Sequence, residues 1–234
     1  DRLWKDPCPA HPPEHKEMRE AALIFGTAPA SPNADVRRAA AIAIGRLGPG
    51  QTRAFGVLVR LLVDADASVR AEAASAMPDV LAAGDSQLPA AWTALLSTLT
   101  SRDTADDVTA QAVFESIGRL PNEPSRDAAG VAAFIIGCFT SVDCRPAVPD
   151  GALNPRISPA RLLGGLRGFE ALTRRTPRVE LREAARKVLR DLAAKGRSDF
   201  NRVPTGFENR HDPASATEQL AHMRRLAVQT LINI

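Results

Sequence analysis

The chain has 234 residues, 44% apolar and 24% charged, with 30 basic side chains against 27 acidic ones and a formal charge of +3. That length suits one large domain or two small ones with an ample core, and so small an excess of charge excludes nucleic-acid binding unless the cations cluster. Alanine dominates, aromatics are only 4% and tyrosine is absent, a balance that favours helices and disfavours strands.

Residues 1–13 read as an extended tail, because Pro7, Pro9, Pro12 and Pro13 prevent helix formation there. Cys8, His11 and His15 follow a Cys-x2-His-x3-His spacing that could donate soft ligands. No fourth ligand accompanies them, so no metal site is assigned. Residues 1–20 are polar and proline-rich rather than signal-like. The sequence does not begin with methionine, so removal of a secretion signal stays open. The compartment would then be periplasmic or otherwise extracytoplasmic; without such a signal it is cytoplasmic.

Residues 14–138 carry the main regularity. Asp35-Val36-Arg37 opens a stretch through Gly48 that recurs from Ser68-Val69-Arg70 and from Asp107-Val108-Thr109. Further copies start at Glu180 and at His222. A period in the thirties to low forties is that of a helix pair with its turns. Asp35, Ser68 and Asp107 are expected to cap their helices, and Gly48 and Gly84 to end theirs. In the first copy the apolar stripe is expected to run from Val36 through Ala40 and Ile44 to Leu47. Partner helices are predicted at 52–63, with Phe55, Leu58, Leu61 and Leu62 on one face, at 88–99, with Trp92, Leu95 and Leu96, and at 127–138 around Phe134-Ile135-Ile136. No stretch alternates convincingly enough for a strand. The predicted fold is all-α, an α-α superhelix with two irregular loop insertions.

The first insertion spans 139–157, where Pro146, Pro149, Gly151 and Pro155 exclude a helix. Cys138 and Cys144 could close a small disulfide loop at its start in an oxidising compartment, although free thiols, with Cys138 buried at a helix end, are the preferred reading. Further helices are expected over 158–234. Gly164-Gly165 suggests close helix packing rather than phosphate binding. The region 161–202 is rich in arginine, and Arg182, Arg186 and Arg190 share one helix face. Arg174, Arg175, Arg178, Arg182, Arg186 and Arg190 are the candidate binding residues, because guanidinium groups grip carboxylate or phosphate with two parallel hydrogen bonds. A solvated helix face explains the same pattern. A second insertion, 195–213, holds Gly196, Pro204, Gly206 and Pro213. The sequence ends on an apolar, uncapped stretch at Ile234, so further chain or a partner is expected to cover that edge.

The Asp-x-x-Val-Arg-x-x-Ala-Ala-x-Ala-Leu-Gly pattern, closest at residues 35–48 and 64–70, resembles the HEAT repeats of the bacterial phycobilisome-lyase-like type. The resemblance covers most of 20–121 and returns at 178–234. It implies a HEAT-repeat solenoid and no particular activity, since such repeats serve lyase subunits, scaffolds and adaptors alike. The C-terminal copy is also similar in style to secreted bacterial proteins in which HEAT repeats precede a peptidyl-prolyl isomerase domain, although no such domain lies in these residues.

No nucleophile elbow, phosphate-binding glycine loop or His-Glu-x-x-His motif is present. No cofactor is expected, and no apolar run reaches the ~18–20 residues that span a membrane. The expected function is therefore a non-catalytic scaffold or adaptor in a larger bacterial assembly, holding a protein partner. One alternative is nucleic-acid binding through 161–202, similar to HEAT-like DNA-repair glycosylases, though no stacking aromatics accompany the arginines. Another is an enzyme subunit whose chemistry lies elsewhere, as in heterodimeric bilin lyases.

Overall fold

The computed structural model describes residues 23–50, 52–101, 106–121, 128–140 and 159–175, together with Arg186, Leu189, Arg190, Arg225, Ala227 and Val228. A π-helical turn, Leu23–Thr27, precedes α1 (Ala34–Arg46), α2 (Thr52–Leu61), α3 (Ala67–Ala76), a 3-10 turn (Met77–Val80), α4 (Leu88–Thr100), α5 (Asp107–Arg119), α6 (Ala128–Thr140) and α7 (Pro159–Arg175). No strand occurs among the described residues. The isolated C-terminal positions are helical as well.

The helices form two rows. In one, α1 packs on α3, α3 on α5 and α5 on α7; α2, α4 and α6 form the other, each packed against the first row. This is the all-α superhelical stack that the repeat period predicts. One apolar core runs between the rows, built from Ile44 and Leu58 at one end, Met77 and Leu95 further along, and Phe114, Ile135 and Phe169 beyond them. Leu189 and Ala227, from the fourth and fifth sequence copies, join the same core. Trp92 of α4 meets the Phe134 ring edge-on at 5.5 Å, and Phe134 lies 6.4 Å from Phe114. These two contacts tie α4, α5 and α6 together with the quadrupole preference of aromatic pairs.

Local chemistry explains where each helix starts, and it moves the expected caps. Asn33 caps α1, accepting from the Asp35 amide at 2.8 Å. Asp66 caps α3 through the Ser68 and Val69 amides, and Asp106 caps α5 through the Thr109 amide at 2.9 Å. Asp35, Ser68 and Asp107 are thus inside their helices. An earlier side chain, on still-extended backbone, captures the free amides first. The expected stripe also shortens: Ala40 and Ile44 are buried, but Val36 and Leu47 are exposed, as is Val108 at the equivalent place in α5. Gly48 (φ +74°) directly follows the α1 cap residue Leu47, as expected of a left-handed terminator. Gly84 (φ +82°) instead lies in a turn beyond the 3-10 segment, whose end is Leu81.

Phe139 and Thr140, assigned from sequence to the first insertion, complete α6, since neither is a helix breaker. The 1–13 tail, 141–157, 195–213, and Cys8, His11, His15, His211 and His222 lie outside the described residues. No helix among the described residues is long and apolar enough to cross a membrane.

Candidate interaction surfaces

The repeat motif places an arginine in the first turn of α1 and again of α3, and both do the same work. Arg37 donates to the Ser31 and Pro32 carbonyls before its own helix, at 2.9 and 3.1 Å. It also grips Asp64, before the next helix of the row, through two hydrogen bonds of 2.7 Å. Arg70, buried in α3, repeats the pattern: it donates to the Asp64 and Ala65 carbonyls at 2.6 and 2.9 Å and reaches Asp106 at 2.6 Å. In α5 the equivalent residue is Thr109, whose hydroxyl donates to Asp106 at 2.5 Å and accepts from Arg70 at 3.3 Å. A threonine cannot span to the next repeat, so the ladder stops there.

The ladder shapes its own electrostatics. The Arg37 hydrogen bond holds the Asp64 carboxyl below its ordinary range against the opposing effect of burial, and the same bond raises the Arg37 guanidinium. Burial pushes Asp106 up, but the Thr109 hydroxyl and amide, together with Arg70, outweigh it and leave it lowered. Asp66 is lowered by the Ser68 hydroxyl and by the amides it caps. Each shift follows from hydrogen bonding to the charged form; Asp64 and Asp106 join successive repeats, whereas Asp66 caps its own helix.

Between α5 and α7 the joint is different. A methyl built on Gly118 would overlap the backbone carbonyl of Gly168, and one on Gly168 would overlap that of Phe114. One on Gly164 would lie 2.7 Å from Gln111 Cα. The two helices cross backbone to backbone, which is the close packing anticipated for Gly164-Gly165.

On the outward side of the α1–α3–α5–α7 row, cations face carboxylates: Arg38 with Glu72 at 2.9 Å, Arg119 with Asp79, Arg167 with Glu115 at 3.6 Å, and Arg174 with Glu170 at 2.7 Å. The other row differs. Neither α4 nor α6 contains a charged residue. Thr93 and Ser97, exposed on α4, turn their hydroxyls onto the Pro89 and Ala94 carbonyls of the same helix. Only α2 presents charge there, through exposed Arg53 and Arg60, neither of which has an ion-pair partner among the described residues. Gly56 lies between them, also exposed, with nothing within 4 Å of where a side chain would start.

The arginines predicted from sequence are placed as follows. Arg174 is exposed at the end of α7 and paired to Glu170; Arg175 ends the same helix. Arg186 is half-buried and Arg190 exposed, both on helical backbone, whereas Arg178 and Arg182 lie outside the described residues. Cys138 is buried and disulfide-bonded, contrary to the preferred free-thiol reading; Cys144 lies outside the described residues. No cluster of three or more His, Cys, Asp or Glu side chains that could hold a metal occurs among the described residues. Sequence reasoning missed Arg53, Gly56 and Arg60. Their signal is a glycine that interrupts the otherwise helix-forming 52–63 stretch between two arginines.

Residues 27–118 match the family model for HEAT repeats. That span holds α1 to α4 and nearly all of α5, so the ladder and the α2 face both lie within the matched residues. No curated protein and no solved structure matches the sequence.

Proposed function

We propose that the chain is a non-catalytic protein-interaction scaffold, one subunit of a larger assembly. The observation that carries this reading is the HEAT-repeat stack itself: the carboxylates and arginines of residues 31–119 that a catalytic site would need are largely engaged in tying one helix to the next. A side chain fixed in an ion pair between repeats is poorly placed to exchange protons with a substrate. A stack of this kind offers a long surface of which each repeat shows a part, and that suits an extended protein partner.

The test is isolation of the chain from its native source under mild conditions with reversible crosslinking, followed by mass analysis of the complex. A partner in fixed stoichiometry is expected. Recovery of the chain alone, crosslinked only to itself or to nothing, would sink the proposal.

A further inference from the structure

We infer that the outward face of α2, formed by Arg53, Gly56, Arg60 and Val63, seats an acidic helix of a partner protein. This inference rests on the scaffold reading and assigns it a surface. Arg53, Gly56 and Arg60 are exposed, and Val63 just past the helix is 68% exposed. Their spacing of three, four and three residues keeps them on one stripe.

Three features of this stripe are locally unfavourable, and nothing among the described residues compensates them. Gly56 interrupts a short helix, where glycine is the poorest former after proline. Gly118, Gly164 and Gly168 also interrupt helices, but there another backbone fills the space, and Gly45 sits against Ala76. Gly56 has the same bare backbone with no neighbour on it. Arg53 stands in the first turn of α2, which holds no acidic residue, so its charge faces the positive end of the helix dipole. Val63 leaves an apolar side chain in water. An anionic helix crossing at Gly56 would resolve all three. Its backbone could approach as α7 approaches α5, its carboxylates would meet Arg53 and Arg60, and an apolar residue would cover Val63.

The dimensions select the partner further. Seven residues of α-helix separate the two arginines by about 10.5 Å, so a partner helix lying along α2 offers matching carboxylates two turns apart. The face carries no aromatic side chain on which a base could stack, which argues for protein over nucleic acid.

The experiment measures anisotropy of a labelled alanine-based helical peptide of about 20 residues, long enough to hold a helix, with two glutamates seven residues apart. The control peptide has them two residues apart, on opposite sides. Saturable binding at low salt is expected, weakened at least tenfold by Arg53→Gln with Arg60→Gln and several-fold by Gly56→Leu or by the control spacing. Gly56→Leu should melt at or above the wild-type temperature, which separates lost docking from lost folding. No saturable binding of the glutamate peptide, or binding indifferent to these changes, overturns the inference. So does tighter binding of an oligothymidylate of equal charge, or binding that instead disappears with Arg174→Gln and Arg190→Gln. Self-association that these α2 substitutions abolish would reassign the face to a second copy and equally overturn it. None of these results bears on native co-isolation, so the scaffold proposal stands or falls separately.

Discussion

Replacing Gly164 with alanine puts two effects of opposite sign in competition, and the structure decides which wins. In an exposed helix, glycine to alanine stabilises by about 1 kcal/mol through backbone entropy. At Gly164 the new methyl would lie 2.7 Å from Gln111 Cα, whereas nonbonded carbons settle at about 3.5–4.0 Å. By that standard α7 would have to withdraw from α5 by roughly 1 Å. Leu162, Leu166 and Phe169 are each no more than 2% exposed on the same helix, so the shift would loosen their packing too. Overpacking of this kind costs about 1–3 kcal/mol, and more where backbone rather than a side chain must yield. A net loss of about 2 kcal/mol lowers the melting temperature of a chain this size by roughly 4–8 °C. Gly118→Ala and Gly168→Ala should act alike, and the two combined should cost less than their sum, because one withdrawal relieves both overlaps. The assay is thermal or urea unfolding of the full chain, with Gly56→Ala as the counterpart. That change meets nothing within 4 Å and should raise stability by about 1 kcal/mol. Neutral or stabilising effects at both Gly164 and Gly168 would refute the backbone-to-backbone crossing.

Arg70→Met should cost about 2–3 kcal/mol, since it strips hydrogen bonds from Asp106 and from two carbonyls while leaving a part-buried carboxylate unpaired. The fall in the urea midpoint should be similar for Arg37→Met, because Arg37 is more open to water than Arg70 but the Asp64 it would strand is more buried than Asp106. Ser116→Ala removes a buried hydroxyl whose single proton is shared between the Ala74 and Ala112 carbonyls, each 2.7 Å away, and should cost about 1 kcal/mol, read from the same curves. Acid should weaken the stack in a defined window. The carboxyls of Asp64, Asp66 and Asp106 are lowered from 3.8 in the fold, so the unfolded chain binds protons first. Their stabilisation is complete above the unfolded value and disappears as pH falls from about 5 through the lowered values. Asp64→Asn should flatten that part of the stability-versus-pH curve; an unchanged slope would contradict the ladder's electrostatics.

The helices were legible in the sequence because their signals are short-range. Val-Arg followed by alanines marks the starts of α1 and α3, and Leu58, Leu61 and Leu62 mark the buried face of α2. The caps were harder, because Asn33 and Asp35, Asp66 and Ser68, or Asp106 and Asp107 compete within a few residues. The backbone angle where the helix begins settles which one wins. Val36, Val69 and Val108 show the same limit: one motif position is exposed twice and buried once, since burial depends on neighbouring helices that the motif does not encode. The partners of Arg37 and Arg70 lie 27 and 36 residues away, so only the fold shows that they are joints rather than a binding patch. The Arg174 pair with Glu170 also appears only once α7 is built.

The change from Arg37 and Arg70 to Thr109 explains why the glycines gather where they do. As long as an arginine reaches the next repeat, two charge-assisted bonds fix the separation of successive helices, and ordinary side chains fill the gap between them. Gly45 against Ala76 is the closest approach of that kind, met by a methyl rather than a carbonyl. At α5 the onward reach is lost, because the Thr109 hydroxyl bonds its own cap residue Asp106 and, behind it, Arg70 of α3. The α5–α7 joint must then rely on direct contact, and direct contact grows stronger as helices come closer, down to the limit set by their backbones. Gly118, Gly164 and Gly168 place the crossing at that limit. If this trade is causal, Thr109→Arg should not restore a ladder, since backbone already occupies the space between α5 and α7. It should instead bury an unpaired guanidinium and destabilise the chain more than Thr109→Val, a difference that paired urea titrations would measure.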